Sequence, residues 1–460
     1  MKNKITILIL LYIVTSTIFS NAQTNVSGGI YTNTTWTKVN SPYIVTGNIV
    51  LFPGKILTIE PGVEVKIDGF YTIEIRGTLF AIGTIADSIS FISNGSLIAN
   101  TWGGINICNV TQNSVGLFEY CKIKHSTFGI TFEISSGNNS SYIKNSLFEN
   151  NYNASGYDGW NFPIDNCVFA NNFNAINGHY GVLVTNSTFT NNSMAVNGTG
   201  KVIKNSVFIS NIIGITCPAF EARNCFFQYN SFAIDCWSGP SDQIVIDSCT
   251  IINNNIGIRV KVGSITNNNI SNNVIGVISQ HISSTENGIE YYVPIKNNRI
   301  CNNTQYNIEN DTSYNKNITQ NCFCTTDSAT IESKLFDGYD DITKGLFNYD
   351  IYDSTCQNVT QSIYKVGTNP LSSNTVISKE PNISISPNPF NDFISIQFGN
   401  QQNQLYSLRI YNTLGQKIEQ FENINSEQKT IDCGNFKSGI YLLQIIQNGI
   451  IIEQQKLIKQ

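Results

Sequence analysis

Residues 142–151 read YIKNSLFENN, and the same text returns as PIDNCVFANN at 163–172, LVTNSTFTNN at 183–192, VIKNSVFISN at 202–211 and EARNCFFQYN at 221–230. Looser copies follow, IDSCTIINNN at 246–255 and ITNNNISNN at 265–273. A period near twenty residues marks an internal repeat, and a repeat decides the fold before any local propensity does. One apolar column runs through Ile123, Phe148, Phe169, Phe189, Phe208, Phe227, Ile251, Ile270 and Ile300, with spacings of 25, 21, 20, 19, 19, 24, 19 and 30. One unit is therefore about nineteen residues, and the longer steps carry loop insertions.

Working outward from that column, other columns keep pace with it. Three residues before it stand Asn145, Asn166, Asn186, Asn205, Asn224, Asn267 and Asn297; three after it stand Asn151, Asn172, Asn192, Asn211, Asn230, Asn254, Asn273 and Asn303. Six after it the side chain is tiny, as at Gly129, Ala154, Ala175, Ala195, Gly214, Ala233, Gly257 and Gly276. If each unit is one turn of a solenoid of short parallel strands, like stacks on like at about 4.8 Å. The apolar column then builds a core that no single coil could bury. Asn amides in both columns are expected to donate to one neighbouring coil and accept from the other. Leucine-rich repeats are excluded by the missing L-x-x-L-x-L frame, and helical repeats by the density of Asn, Gly and β-branched residues.

These repeats resemble those of the pectate-lyase-like right-handed parallel β-helix proteins, over roughly residues 40 to 350. The start is similar too, in Trp36, Pro42-Tyr43, the run from Gly54 to Val65, Gly77-Thr78-Leu79 and Trp102-Gly103-Gly104-Ile105. Such proteins often close on N-x-W-G-T-T-D and a short helix; here Asn321-Cys322-Phe323-Cys324-Thr325-Thr326-Asp327 puts Phe-Cys in place of Trp-Gly. Ile331 to Phe336, Asp337-Gly338-Tyr339-Asp340-Asp341 and Asn348-Tyr349 fit the terminal cap a solenoid needs over its open core.

Composition agrees with an exported chain. Charged residues are 13% of the 460 and net charge is −5, so no basic footprint for nucleic acid or anionic lipid exists. Lys2 and Lys4 precede the apolar run Ile5 to Phe19, followed by Ser20-Asn21-Ala22. Residues 1–22 are read as a secretory signal peptide. No later stretch is long and apolar enough to span a bilayer, so the mature chain is expected to lack a transmembrane segment.

After Cys356 the chain turns to Ser, Thr, Asn and Pro, and 357–381 reads as a linker. From 382 to 460 strand patterns resume at Phe393 to Phe398, Tyr406 to Tyr411, Ile440 to Ile446 and Ile450 to Leu457, the pattern of a small β-sandwich. This module resembles the type A C-terminal sorting domain of the Bacteroidetes type IX secretion system. The matching pieces are Pro387-Asn388-Pro389, Tyr411-Asn412-Thr413-Leu414-Gly415-Gln416, Ser438-Gly439-Ile440-Tyr441-Leu442-Leu443 and Lys456-Leu457-Ile458-Lys459. The resemblance implies handling by that secretion machinery, and a mature protein that is secreted or attached to the outer-membrane surface. The whole chain is thus expected to be all-β: a signal peptide, a right-handed parallel β-helix with end caps over 23–356, a linker, and the sorting β-sandwich.

Twelve cysteines in an exported chain suggest disulfides. Cys121, Cys167, Cys225 and Cys249 share a column with Ser146, Ser187 and Ser206, and so read as small stacked side chains. Cys217 and Cys236 sit at one repeat position in successive coils, where parallel Cβ vectors bridge poorly. Cys322 or Cys324 with Cys356 is the better pairing. No metal site is expected there, since no His lies near to complete a ligand set.

Chemistry is thinner. Four residues before the apolar position run Glu119, Lys144, Asp165, Thr185, Lys204, Arg223, Asp247, Thr266 and Lys296, read as a solvated charge ladder. Ten after it stand Asp158, His179, Thr199 and Trp237, with Tyr157, Trp160, Tyr180 and Phe220 nearby. Tyr157, Trp160, Tyr180 and Trp237 are the expected ligand-binding residues, suited to stacking on sugar rings. Asp158 and His179 are the candidate acid/base pair if catalysis occurs. No cofactor is implied; Asp337 to Asp341 could take calcium but is too short for an EF-hand loop. Two functions stay open: non-catalytic glycan binding or adhesion, and a polysaccharide lyase or glycoside hydrolase acting on an extracellular polysaccharide. The regular repeat and the lack of acidic clusters favour the first.

Overall fold

The computed structural model describes residues 23–108, 114–133, 140–158, 162–178, 181–236, 244–280, 293–350, 355–356, 383–398, 406–412, 417–447 and 450–459. The signal-peptide and linker readings, 1–22 and 357–381, lie outside them. The chain divides into two units, Met1–Ser372 and Ser373–Gln460.

The first unit is a parallel β-helix whose coils each contribute three short strands. One coil is Tyr142–Lys144, Leu147–Glu149 and Asn153–Asp158; the next is Phe162–Asp165, Val168–Ala170 and Asn174–Gly178. The first strands of successive coils form a twelve-stranded ladder from Thr34–Trp36 to Ile295–Lys296. The second and third strands form two further ladders, joined into one sheet at the start because the long strand Tyr43–Leu51 pairs with both Glu64–Ile67 and Thr72–Ile75. Every pairing among these ladders is parallel, the pattern expected of coils that advance along one axis.

The apolar column lies in the second ladder. Phe148, Phe169, Phe189, Phe208 and Phe227 are fully buried and paired in direct register. Their ring centroids are 4.8, 5.0, 4.8 and 4.6 Å apart and nearly parallel. That spacing is the distance between coils, so the backbone sets the ring stack and not the reverse. Each buried Phe contributes roughly 2–3 kcal/mol of burial.

The two Asn columns divide the work that the sequence reading had assigned to both together. In the earlier column Asn145, Asn166, Asn186, Asn205 and Asn224 have φ between 50° and 52°. They make the left-handed corner between the first and second ladders, a conformation Asn tolerates better than most residues. A second left-handed corner follows at Asn150, Asn171, Asn191, Ser210, Tyr229 and Asn253. The later column carries the amide ladder. The backbone N–H and the Nδ2 of Asn172 both donate to Asn192 Oδ1 at 3.0 Å, while Nδ2 also donates back to the Phe148 carbonyl at 3.1 Å. Asn192 repeats this with Asn211 and Phe169, and Asn211 with Asn230 and Phe189. The series begins on Ser126 and ends where Asn303 donates to Asn307.

A parallel ladder uses the Ser/Cys column. Cys121 N–H donates to Ser146 Oγ, Cys167 to Ser187 and Ser187 to Ser206 at 3.0–3.2 Å. Beyond Cys249 the acceptors become Asn268, Asn298 and Asn321. Cys121, Cys167, Cys225 and Cys249 are buried free thiols, as are Cys217 and Cys236.

The end of the helix is closed by the one-turn helix Ser328–Glu332, capped by Asp327, and by Leu335–Phe336, which adds to the third ladder at Ile308. Two disulfides, Cys301–Cys324 and Cys322–Cys356, staple this cap; Cys301 is a partner the sequence reading had not named. The Asp-rich run is a turn whose carboxylates serve backbone N–H groups: Asp337 accepts from Tyr339 and Phe347, and Asp341 from Thr343.

The second unit is a β-sandwich. Ser384–Ser386, Phe393–Gln397 and Gln428–Asp432 form one antiparallel sheet; Lys417–Ile424, Tyr406–Asn412, Gly439–Gln447 and Ile450–Lys459 form the other. Phe390, Ile394, Ile396, Leu408, Ile410, Leu443 and Leu457 fill the core between them. Lys417–Ile424 was missed from sequence because KIEQFENI is an edge strand, exposed along most of its length and without apolar alternation.

The division of labour between the Asn columns is testable at a single coil. Asn192→Gly should cost about 3 kcal/mol, because Asn172 and the Phe169 carbonyl lose buried partners. Asn205→Gly, at an exposed left-handed corner, should change stability by less than about 0.5 kcal/mol. Urea denaturation of both variants beside the parent reads the difference.

Candidate functional site

In the third ladder two neighbouring strands alternate after their first residues, Trp102–Cys108 and Ser126–Glu133. Ile105, Ile107, Ile130 and Phe132 point into the core, so Asn106 and Thr131 between them point out. The register continues this outward row as Glu74, Asn106, Thr131, Gly156, Asn177, Asn197 and Thr216 on successive coils. Along its first part lies a groove of about 450 Å³, lined by Thr72, Gly103, Gly104, Ile105, Asn106, Phe128, Thr131, Phe132, Glu133, Asn153, Gly156 and Asn177. It crosses five coils, a length of about 19 Å.

Two features of the local sequence make the depression. A register shift between Phe128 and Ile130 breaks the flat face. Opposite it, Gly104 has φ +123° and sits so close that a Cβ would lie 1.5 Å from the Phe128 carbonyl oxygen, so only glycine can occupy the floor. Phe128 stands half exposed at the wall, and Tyr152 and Phe173, both exposed, stack at 4.9 Å beside the lining residue Asn153.

The polar lining is pre-arranged. Asn106 Nδ2 donates to Glu133 Oε1 at 2.9 Å, and Thr131 Oγ1 donates to Asn106 Oδ1 at 3.1 Å. Cys108 Sγ lies 3.5 Å from the other Glu133 oxygen. Asn174 Nδ2 donates to Asn153 Oδ1 at 2.7 Å. Glu133 is exposed and is the single charged side chain among the lining residues.

Of the candidate site residues singled out from sequence, none is among the residues that line this groove, and two lie on the described backbone of the third ladder. Asp158 pairs in register with Glu133 on the preceding coil, which places two carboxyl-bearing residues at equivalent positions where the sequence reading had paired Asp158 with His179. Tyr157 pairs with Phe132 and with Gly178. Trp160, His179, Tyr180 and Trp237 lie outside the described residues. The groove was not expected from sequence, although a signal existed: its residues Thr131, Gly156 and Asn177 sit eight after the apolar column, at the outward parity of the third strand.

The charge column is an ordered ladder on the first sheet. Arg223 bridges Glu221 at 2.6 Å and Asp247 at 2.5 Å. Asp165 accepts from Thr185 and Asn186, and Asp247 from Thr266 and Asn267. These carboxylates hold the left-handed corners of the next coil. His125, buried at a corner, has its pKa lowered by burial and then by Lys124.

Lys201 is the unusual cation. It is buried in the first ladder between Val182 and Phe220, and its Nζ donates to the Gly178 carbonyl at 3.1 Å. Burial lowers its pKa to about 8; nearby Cys217, whose thiol burial raises to about 12, offsets this slightly.

Comparison with known proteins separates the two units. Residues 384–460 match the family described as the secretion system C-terminal sorting domain. The second unit is therefore a type IX sorting tail, and the chain is a secreted or surface-attached protein. "Protein bark beetle" of Drosophila melanogaster is 41% identical over 61 residues, 13% of this chain, and the chain spans 2% of that protein's length. The crystal structure of a periplasmic alginate epimerase double mutant is similar at a TM-score of 0.31 and 12% identity, covering 67% of this chain and 75% of that one. No helix among the described residues is long and apolar enough to cross a membrane.

Lys201 generates a pH prediction. Its folded pKa near 8 lies below the ordinary 10.5, so the folded state releases this proton first. The penalty for burying the ammonium is full below about pH 8 and fades as pH climbs toward 10.5. Lys201→Met should raise stability at pH 7 by up to roughly 3 kcal/mol. It should also abolish this part of the stability gain between pH 8 and 10.5, read by denaturation of variant and parent across that range.

Proposed function

We propose that this exported β-helix is a non-catalytic glycan-binding protein of the cell surface or medium, holding an extracellular polysaccharide along the third ladder. The observation that carries the reading is the groove of amide, hydroxyl and glycine positions with Phe128 at its wall, running along the axis for five coils. A pyranose ring is about as long as one coil spacing, so successive rings of a polymer meet equivalent positions on successive coils. The half-exposed rings of Phe128, Tyr152 and Phe173 offer faces on which sugars stack, each worth about 1 kcal/mol. Repeated weak contacts of this kind suit a polymer. Such binding needs no cofactor.

The register of Glu133 with Asp158 supports a second reading, hydrolysis or lyase chemistry on the same polymer. Glycosidases place two carboxyl groups about 5–9 Å apart across the scissile bond, and what supports the reading here is that these two residues are paired on neighbouring coils at the backbone. The binding reading is preferred because the one described carboxylate of the groove is exposed and already accepts from Asn106.

For delivery, we propose passage into the periplasm by residues 1–22, followed by recognition of the tail by the secretion machinery. Deleting 384–460 should leave a folded β-helix in the periplasm, read by cell fractionation; unchanged surface or extracellular protein would remove this route. For binding, Phe128→Ala should weaken affinity for a bound glycan about fivefold. Asp158→Asn should leave binding largely intact. Incubation with a polysaccharide panel should yield no new reducing ends or unsaturated uronates; products that vanish in the Asp158 variant would establish the enzyme reading instead.

A further inference from the structure

The chemistry of the lining narrows the glycan, on the premise that the groove binds one. Its polar side chains are the amides of Asn106, Asn153 and Asn177 and the hydroxyls of Thr72 and Thr131; its single charge is Glu133. Amides and hydroxyls both donate and accept, which matches sugar hydroxyls that do the same. A uronate carboxylate accepts only, and its recognition calls for guanidinium or ammonium donors.

Two guanidiniums of the described third ladder are already committed. Arg76 follows Ile75, which pairs with Ile107, so it stands one coil before Cys108 and two before Glu133. Its Nε donates to Glu74 at 2.6 Å. Farther along the axis, Arg259 is bound to Asp235 by two bonds of 2.7 and 2.6 Å and lies over the Phe232 ring. Neither guanidinium belongs to the lining of the groove.

We propose that the groove selects a polysaccharide of uncharged hexose or hexosamine rings and rejects polyuronates. A polyuronate laid along the axis carries one carboxylate per ring, so a negative charge would come beside Glu133 at about one coil spacing whichever ring occupies that position. At that distance repulsion acts within the screening length of ordinary buffers. The net charge of −5 on the chain adds to it over longer range. Glu133 is thus the specificity-determining residue: its place in the lining costs nothing to a neutral polymer and disfavours an anionic one.

The test measures affinity of the purified full chain for four polymers, a neutral β-glucan, a chitin oligosaccharide, polygalacturonate and alginate, at low and at physiological salt. At least one neutral polymer should bind about tenfold or more tighter than either polyuronate. Glu133→Gln should raise the ratio of polyuronate to neutral affinity several-fold, and Glu133→Lys should raise it further, with the effect shrinking at high salt. Circular dichroism establishes that each variant is folded. Polyuronate binding equal to or tighter than neutral binding would overturn the inference while leaving glycan binding intact. So would a ratio that does not move in Glu133→Lys. A folded protein that binds none of the four overturns this selectivity together with the glycan reading beneath it.

Discussion

Everything on the β-helix depends on coil-to-coil register, and the buried Asn amide ladder is the interaction that holds it. Apolar columns alone would not suffice, because Phe and Ile burial is non-directional and tolerates small axial or lateral slips. The Asn192 amide, which receives two bonds from one coil, gives one to the next and gives one back to a carbonyl, has a single satisfactory position. Slipping one residue would turn core side chains outward and leave each of these groups unpaired in a site closed to water. The ladder therefore converts burial into an exact stacking, and the face-to-face Phe column and the ordered charge ladder both follow from it.

What could be read beforehand tracks this physics. Columns that must repeat to satisfy neighbours, the Phe stack, the buried Asn row and the Ser/Cys row, were legible because each coil imposes the same requirement on the next. The left-handed corners at Asn145 or Asn150 were not, since an Asn needed for its backbone and an Asn needed for its amide look alike in text. Only the geometry separates them. In the tail, strands that face the core alternate visibly, whereas the edge strand Lys417–Ile424 is held by backbone pairing and leaves little trace in side-chain pattern. Pairing of Cys301 with Cys324 was hidden for another reason: Cys301 is one residue beyond Ile300 in the last regular coil, and the cap folds back on it.

The two units answer to different constraints. The sandwich carries an address, which machinery must recognise as a shape, so its motifs are specific enough to match a family. The β-helix carries a surface. Its inner columns are fixed by stacking, which leaves the outward rows free to vary from coil to coil without disturbing the fold. Along the third ladder that freedom is visible as Asn, Thr, Gly, Asp and Arg succeed one another at one register position over an unchanging interior.

The groove lies where the repeat is broken, and this is a consequence of the same constraint. A run of nineteen-residue coils produces a nearly flat outer face, because equivalent side chains stand at equal height. Between Ile123 and Phe148 the step is 25 residues, and in that interval the third strand shifts register at Phe128 against Gly104. The shift lifts an aromatic to the surface while two glycines leave the floor bare. Coils on either side, locked by their amides, cannot follow the distortion, so it persists as a local depression and does not spread along the helix. A binding site on a solenoid needs such a defect, since a perfect stack offers a ligand the same shallow surface everywhere. Here the defect also sets which chemistry faces the solvent: Glu133 ends the displaced strand and lines the groove, so the irregular coil supplies both the shape of the groove and its negative charge.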